Sequence, residues 1–128
     1  MRSRVILLLM LCHVVLIACS PADRGAPTWG SGSSRGDAAK GRQLFASTCA
    51  TCHGPHGEGI PGLGRSVMAS DFVATRTDAE LVAFIKTGRS VDDPLNTTGV
   101  AMPPKGGNPA LTDADLADIV AYIRSLQR

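Results

Sequence analysis

The chain has 128 residues and a formal net charge of +2, with 13 Lys and Arg against 11 Asp and Glu and 4% aromatic residues. This composition, without a basic stretch interleaved with aromatic side chains, does not favour nucleic acid as a partner. The length allows one domain of modest size, and no internal repeat is present.

The N-terminal segment has the pattern of an export signal. Two arginines precede an apolar run over residues 5–18, which is shorter than the roughly 20 residues that a membrane-spanning helix needs. Leu16-Ile17-Ala18-Cys19 resembles the lipobox of bacterial lipoproteins, in which a small residue precedes a cysteine that is acylated and becomes the mature N-terminus. We therefore predict a signal peptide over residues 1–18 and lipid on Cys19. The alternatives are an ordinary signal cleavage with a spare thiol at this position, or an uncleaved anchor.

Residues 19–36 are expected to form a flexible tether. They are rich in Gly, Ser and Pro and show no apolar periodicity, so they lack the means to bury a core. A segment of this length has a root-mean-square reach of about 20–25 Å. Since the signal segment carries both Arg2 and Arg4, its removal leaves basic and acidic residues equal in number and the mature protein nearly neutral.

From Asp37 onward the pattern becomes that of a folded domain, predicted to cover residues 37–128. An amphipathic first helix, with Leu44 and Phe45 on its apolar face, leads into Cys49-Ala50-Thr51-Cys52-His53. This pentapeptide is C-x-x-C-H, the attachment sequence for a c-type haem. Each thiol can form a thioether with a haem vinyl group, and the histidine is left as the proximal ligand of the iron.

Two other roles of a C-x-x-C sequence suit this pentapeptide less well. A redox dithiol of the thioredoxin type expects a strand-helix-strand setting, which the Gly-rich surroundings do not provide. A structural zinc needs four ligands, and beyond Cys49, Cys52, His53 and His56 the domain has almost none to give. One covalent haem c, with its iron, is therefore the predicted cofactor.

Two further helices are expected, and no strand pattern of useful length is present. The second covers about residues 78–87 and ends at Gly88, and the third runs from Thr112, which can cap it, to about Leu126. Asp113, Asp115 and Asp118 are interpreted as capping residues and as part of a solvated face. The predicted class is all-α, with three main helices and long Gly and Pro loops.

The loop between the second and third helices carries Met102, followed by Pro103 and Pro104. A sixth iron ligand must come from the porphyrin face opposite His53, and Met102 is distant enough along the chain to do so, on a backbone that the prolines restrict. Met68 is the alternative ligand. Residues 90–99, just before this methionine, are interpreted as a hydrogen-bonded supporting loop, with a docking element as the alternative.

Taken together, these motifs make residues 37–128 resemble a class I, single-haem cytochrome c domain. The resemblance is carried by Gly41 and Phe45, Cys49 to Gly54, Pro61-Gly62-Leu63, Met102-Pro103-Pro104 and residues 111–126. It implies a crossing of the first and last helices at Gly41, Phe45 and Tyr122. It also implies iron ligation by His53 and Met102, a Pro61 carbonyl that accepts a hydrogen bond from the His53 imidazole, and packing of Leu63 against the haem edge.

With both axial positions filled, the resemblance implies electron transfer and not catalysis. We expect single electrons to pass between a redox protein donor and acceptor of a respiratory chain as the iron cycles between Fe(II) and Fe(III). The protein would be exported and lipid-anchored, facing the periplasm or the cell exterior, as a mobile carrier or a complex subunit, with no small-molecule substrate. The alternative is a haem enzyme or gas sensor, such as a peroxidase or a binder of nitric oxide or carbon monoxide, whose sixth ligand is displaceable.

Overall fold

The computed structural model describes residues 36–127. It contains α1 (Ala38–Thr48), α2 (Ala50–His53), α3 (Asp71–Ala74), α4 (Asp78–Thr87) and α5 (Asp113–Ser125), with a 3₁₀ turn at Pro104–Gly107. Within this part of the chain the only β-type pairings are two isolated bridges, which confirms the all-α class. The three long helices α1, α4 and α5 match the predicted ones, whereas α2 and α3 were not predicted as separate elements.

The predicted signal peptide, Cys19 and almost all of the predicted tether lie outside the described residues. Between residues 36 and 127, no helix combines the length and the apolar character that crossing a bilayer requires.

Side-chain caps fix where the long helices begin. The Asp37 carboxylate accepts hydrogen bonds from the backbone N–H groups of Ala39 and Lys40 at 2.8 and 3.1 Å. Thr112 caps α5, as the sequence predicts, and the structure adds a reciprocal hydrogen bond from the Thr112 N–H to the Asp115 side chain. An equivalent capping box begins α4. Each cap satisfies backbone N–H groups that have no partner inside the helix.

The crossing of α1 and α5 forms the centre of the core. Gly41 lies against the backbone of α5 so closely that a Cβ atom would overlap the Asp118 carbonyl. Four residues later, the Phe45 ring packs edge-on against Tyr122, with ring centroids 5.3 Å apart and an interplanar angle of 62°. The predicted glycine-aromatic crossing is therefore confirmed. Around it the most deeply buried side chains are Phe45, Leu116, Ile119 and Val120.

Asp118 corrects the prediction of a solvated acidic face. This residue is only 9% exposed, and its Oδ1 accepts a hydrogen bond from the Asp37 backbone N–H at 2.7 Å. Its Oδ2 lies 2.8 Å from the Lys40 Nζ. Because the helices cross at Gly41, this carboxylate faces the start of α1 and binds it there.

Candidate haem site

A single cavity of about 650 Å³ brings together most of the predicted site residues. Its lining includes Cys49, Cys52, His53, Leu63 and Met102, which come from α1, α2 and two separate loops. A cavity of this size lies within the range that proteins use for small molecules and cofactors.

The junction of α1 and α2 positions the two thiols. Cys49 ends α1, where its N–H donates to the Phe45 carbonyl at 2.8 Å. The following turn is closed by the His53 N–H, which donates to the Cys49 carbonyl at 3.0 Å. Cys49 and Cys52 are therefore three residues apart on helical backbone, and residues at that spacing lie on the same side of a helix.

Backbone packing holds this turn from the other side. A Cβ atom on Gly64 would overlap the Cys52 carbonyl, so the loop after the pentapeptide passes directly over α2.

Burial raises the pKa of the Cys49 thiol to about 11, with a smaller contribution from the neighbouring Cys52. Since a thiolate is harder to form in apolar surroundings, the free thiol is protonated at neutral pH.

The proximal histidine is oriented by a backbone carbonyl. The His53 Nδ1 lies 2.7 Å from the carbonyl oxygen of Arg65, and since a carbonyl only accepts, Nδ1 carries the proton. The other ring nitrogen, Nε2, is then left with its lone pair for a metal. The predicted acceptor, Pro61, is corrected: this residue is exposed and does not line the cavity. A backbone acceptor has no sequence signal, because any residue provides a carbonyl.

Met102 is held at the cavity by paired backbone hydrogen bonds. Its N–H donates to the Arg89 carbonyl at 2.9 Å, and the Arg89 N–H donates to the Met102 carbonyl at 2.8 Å. A Cβ atom on Gly88 would overlap that same Met102 carbonyl. The alternative ligand, Met68, lines the cavity too, but it is 39% exposed, whereas Met102 packs partly buried against the core.

The loop of residues 90–101 is internally hydrogen-bonded around Asn96. The side-chain amide of Asn96 donates to the carbonyls of Ser90 and Val100 at 2.9 Å each. Its oxygen accepts from the N–H groups of Thr98 and Gly99 at 3.1 and 3.0 Å. The loop contributes several side chains to the cavity and ends at Met102. These contacts match the interpretation of a supporting loop.

A cluster of aromatic and basic side chains, which the sequence analysis missed, lies on the same cavity. Phe72 and Phe84 pack with ring centroids 4.8 Å apart, and both line the cavity. The Arg89 guanidinium lies 4.9 Å from each ring centroid. The Arg76 guanidinium lies 3.5 Å from the Phe72 ring centroid, but Arg76 does not line the cavity. Nothing in the sequence around Arg89, which follows Gly88, indicates that its side chain would lie against these two rings.

The residues around the cavity fit a covalent c-type haem. Two thiols on one helical turn can take the vinyl groups, and His53, with Nδ1 committed to Arg65, can ligate iron through Nε2. The walls that would contact the porphyrin are largely apolar, from Leu63, Val67, Phe72, Val73 and Phe84. A buried Arg89 Nε without a hydrogen-bond partner among residues 36–127 adds a donor suited to an acidic group.

Comparison with known proteins gives one family match and several relatives. The family profile described as Cytochrome c matches residues 38–127. The chain is 34% identical over 87 residues to cytochrome c-555 of Chlorobaculum thiosulfatiphilum, covering 68% of this chain and 93% of that protein. It is 34% identical over 101 residues to cytochrome c6 of a Picosynechococcus species, covering 74% and 78%. A third relative, the Cbb3-type cytochrome c oxidase subunit FixP of Azorhizobium caulinodans, is 33% identical over 100 residues, covering 75% of this chain but 30% of that subunit.

Proposed function

Because this chain belongs to the cytochrome c family and binds one covalent haem c, we propose that His53 and Met102 together hold the haem iron of a membrane-tethered electron carrier. Electron transfer through the haem is common to the family. The axial ligand set, the tether and the partners are the parts proposed for this chain. In the cavity, the bound group supplies one-electron chemistry between Fe(II) and Fe(III), and a thioether ligand raises its reduction potential.

The observation that carries this proposal is the constrained position of Met102. Its backbone is paired with Arg89 on both its N–H and its carbonyl, and Pro103 restricts the residue that follows. A ligand whose backbone is fixed in this way needs little reorganisation between the two redox states. A filled sixth position leaves no open site for a substrate, which favours electron transfer over a haem enzyme or gas sensor.

The proposed partners are redox proteins, one donor and one acceptor. The near-neutral charge of the mature chain argues against strong electrostatic steering, so the proposal depends on proximity at a membrane. Two relatives are named as cytochromes and one as an oxidase subunit. We accordingly propose a mobile carrier, with a fixed subunit of a respiratory complex as its close variant.

The tether itself rests on the lipobox-like sequence that ends at Cys19. Export followed by acylation of this cysteine would keep the haem domain on the periplasmic or outer side of a bacterial membrane. Mass spectrometry of the mature N-terminus tests it: wild type should carry acyl chains on Cys19 and partition into membranes, and Cys19→Ala should do neither. An unmodified Cys19 in the wild-type protein would overturn the tether and leave the haem assignment intact.

The axial ligands are tested by optical spectra of the matured protein in both redox states, with and without carbon monoxide. We expect wild type to show a weak ferric band near the red edge of the spectrum and no binding of carbon monoxide. Met102→Ala should lose the band and bind carbon monoxide, whereas the matched control Met68→Ala should keep the wild-type behaviour. Ready binding of carbon monoxide by wild type would overturn the proposal in favour of a ligand-binding or catalytic haem.

A further inference from the structure

We propose that Arg89 is a positioning residue that binds a propionate carboxylate of the haem and thereby raises the reduction potential of the iron. The inference requires the family's haem in the cavity but does not require Met102 as the sixth ligand. It begins from a largely buried cation that the proposed electron-transfer function does not use.

The Arg89 side chain is held inside the protein. Its side chain is 14% exposed, and its guanidinium lies 4.9 Å from the ring centroids of Phe72 and Phe84, which line the cavity with it. Its backbone is paired with Met102. An arginine keeps its positive charge under all ordinary conditions. The fold has therefore placed a permanent positive charge in the wall of the cavity, which the exposed Arg65 also lines.

The hydrogen bonds of this guanidinium are incomplete within residues 36–127. One terminal nitrogen donates to the Leu95 carbonyl at 3.1 Å. The buried Nε has no hydrogen-bond partner in this part of the chain, and the Asp93 Oδ2 lies 3.5 Å from it without the geometry of a hydrogen bond. The other oxygen of Asp93 accepts from the Leu95 N–H at 2.7 Å. A buried donor left in this state is unfavourable, because it has lost its hydrogen bonds to water without gaining a partner.

A carboxylate is the chemical complement of this group. The planar guanidinium can donate two parallel hydrogen bonds to a carboxylate, and haem c would supply two propionate carboxylates. Arg89 lines the cavity and its Nε is buried, so a propionate of a haem bound there would meet a donor that is shielded from bulk water. Asp93, whose side chain is 35% exposed, would then be the outer partner of an Asp93–Arg89–propionate chain.

The expected effect on the iron follows from charge. A fixed positive charge in a partly shielded interior favours Fe(II) over Fe(III). Replacing the guanidinium by a neutral amide in Arg89→Gln should therefore disfavour reduction by about tenfold, which for one electron is about 59 mV. Arg89→Lys, which keeps the charge but loses the planar donor pair, should lose much less of the potential.

The test measures the reduction potential of the matured holoprotein by spectroelectrochemistry, together with the infrared carboxylate bands in each redox state. The matched control is Arg76→Gln, because the Arg76 guanidinium also lies over Phe72 but is outside the cavity. The inference is supported if Arg89→Gln lowers the reduction potential and shifts a carboxylate band, and if Arg89→Lys keeps most of the wild-type potential. The control Arg76→Gln should change neither the potential nor the carboxylate bands.

Two outcomes would overturn the inference. One is a wild-type potential in a folded Arg89→Gln holoprotein, and the other is an equal drop in Arg76→Gln, which would indicate general packing around Phe72. If Arg89→Gln does not accumulate as holoprotein, Arg89→Lys decides: an unshifted carboxylate band there contradicts the propionate bond. Carbon monoxide binding by wild type would overturn the Met102 proposal and leave this test unaffected.

Discussion

Gly41 of α1 lies directly against the backbone carbonyl of Asp118 of α5, with no room for a side chain between the two helices. The same crossing aligns Phe45 with Tyr122. One turn after Phe45, α1 ends at Thr48 and is followed by its C-cap, Cys49, so the helix that leads into the first haem cysteine is held by this contact with α5. Stability at this crossing and the geometry of haem attachment are therefore linked.

Substitution of Gly41 should destabilise the protein through overpacking. In Gly41→Ala the new methyl group would overlap the Asp118 carbonyl, and forcing the helices apart costs about 1–3 kcal/mol. The free energy of unfolding of the holoprotein, measured in urea, checks this. Gln43→Ala on the exposed side of α1 is the control and should change it by less than about 0.5 kcal/mol. Equal effects of the two variants would contradict the argument.

Removal of the Asp118 carboxylate should also be costly. Asp118→Ala leaves the Asp37 N–H without its acceptor and Lys40 with one carboxylate fewer, at a cost of about 1–3 kcal/mol. Asp118→Asn, which keeps an acceptor oxygen, should recover part of the loss in thermal or urea unfolding. Asp113→Ala serves for comparison, because its ion pair with Lys86 is exposed and such pairs contribute about 0–1 kcal/mol.

Acid should weaken the fold through Asp115. The hydrogen bond from the Lys40 side chain, followed by that from the Thr112 hydroxyl, holds the pKa of Asp115 well below its usual range. A carboxyl whose pKa is depressed by folding stabilises the protein above its unfolded value, about 3.9 for Asp, and that contribution is lost as the pH falls toward the folded value. The free energy of unfolding of wild type should therefore decline below about pH 4. Asp115→Asn should show a shallower decline, and identical slopes would exclude this residue as a source.

Alkaline conditions should weaken the same ion pair through its other partner, Lys40. The hydrogen bonds from Lys40 to Asp115 and then to Asp118 raise the pKa of Lys40. A group with a raised pKa stabilises the fold below its unfolded value, about 10.4 for Lys, and that contribution is lost as the pH rises through the folded value. Above about pH 10, the free energy of unfolding should therefore decline less steeply in Lys40→Met than in wild type. An unchanged alkaline profile would contradict the assignment.

Loss of the Asn96 side chain should loosen the loop before Met102. Asn96→Ala removes the donors to Ser90 and Val100 and the acceptor for Thr98 and Gly99. Because these bonds are local, we expect faster amide hydrogen exchange across residues 90–101 with exchange in α1 and α5 unchanged. Thr97→Ala, which removes a single side-chain contact to Arg65 at 3.5 Å, should leave exchange near wild type. Uniform acceleration throughout the domain would instead indicate global destabilisation.

The sequence alone predicts those parts of the site whose residues lie close together along the chain and have characteristic side chains. Cys49, Cys52 and His53 sit in one pentapeptide, so their relation is set by a single helical turn. The Thr112 cap and the apolar faces of α1, α4 and α5 are local patterns too, since propensity and periodicity act within a few residues. Leu63 was predicted through the family resemblance, and Met102 through its distance from His53, the prolines that follow it and the same resemblance. The structure places both residues on the cavity.

Tertiary structure alone decided the contacts between groups far apart in sequence. Arg65, and not Pro61, lies at His53 because the bond uses a backbone carbonyl, which every residue possesses. Asp118 is buried because the glycine crossing brings the start of α1 over it, and Arg89 lines the cavity because two phenylalanines from α3 and α4 close around it. A motif of side chains at short spacing can be identified from the sequence alone. The burial of a charge and the choice of a backbone acceptor cannot, because they depend on how distant segments pack together.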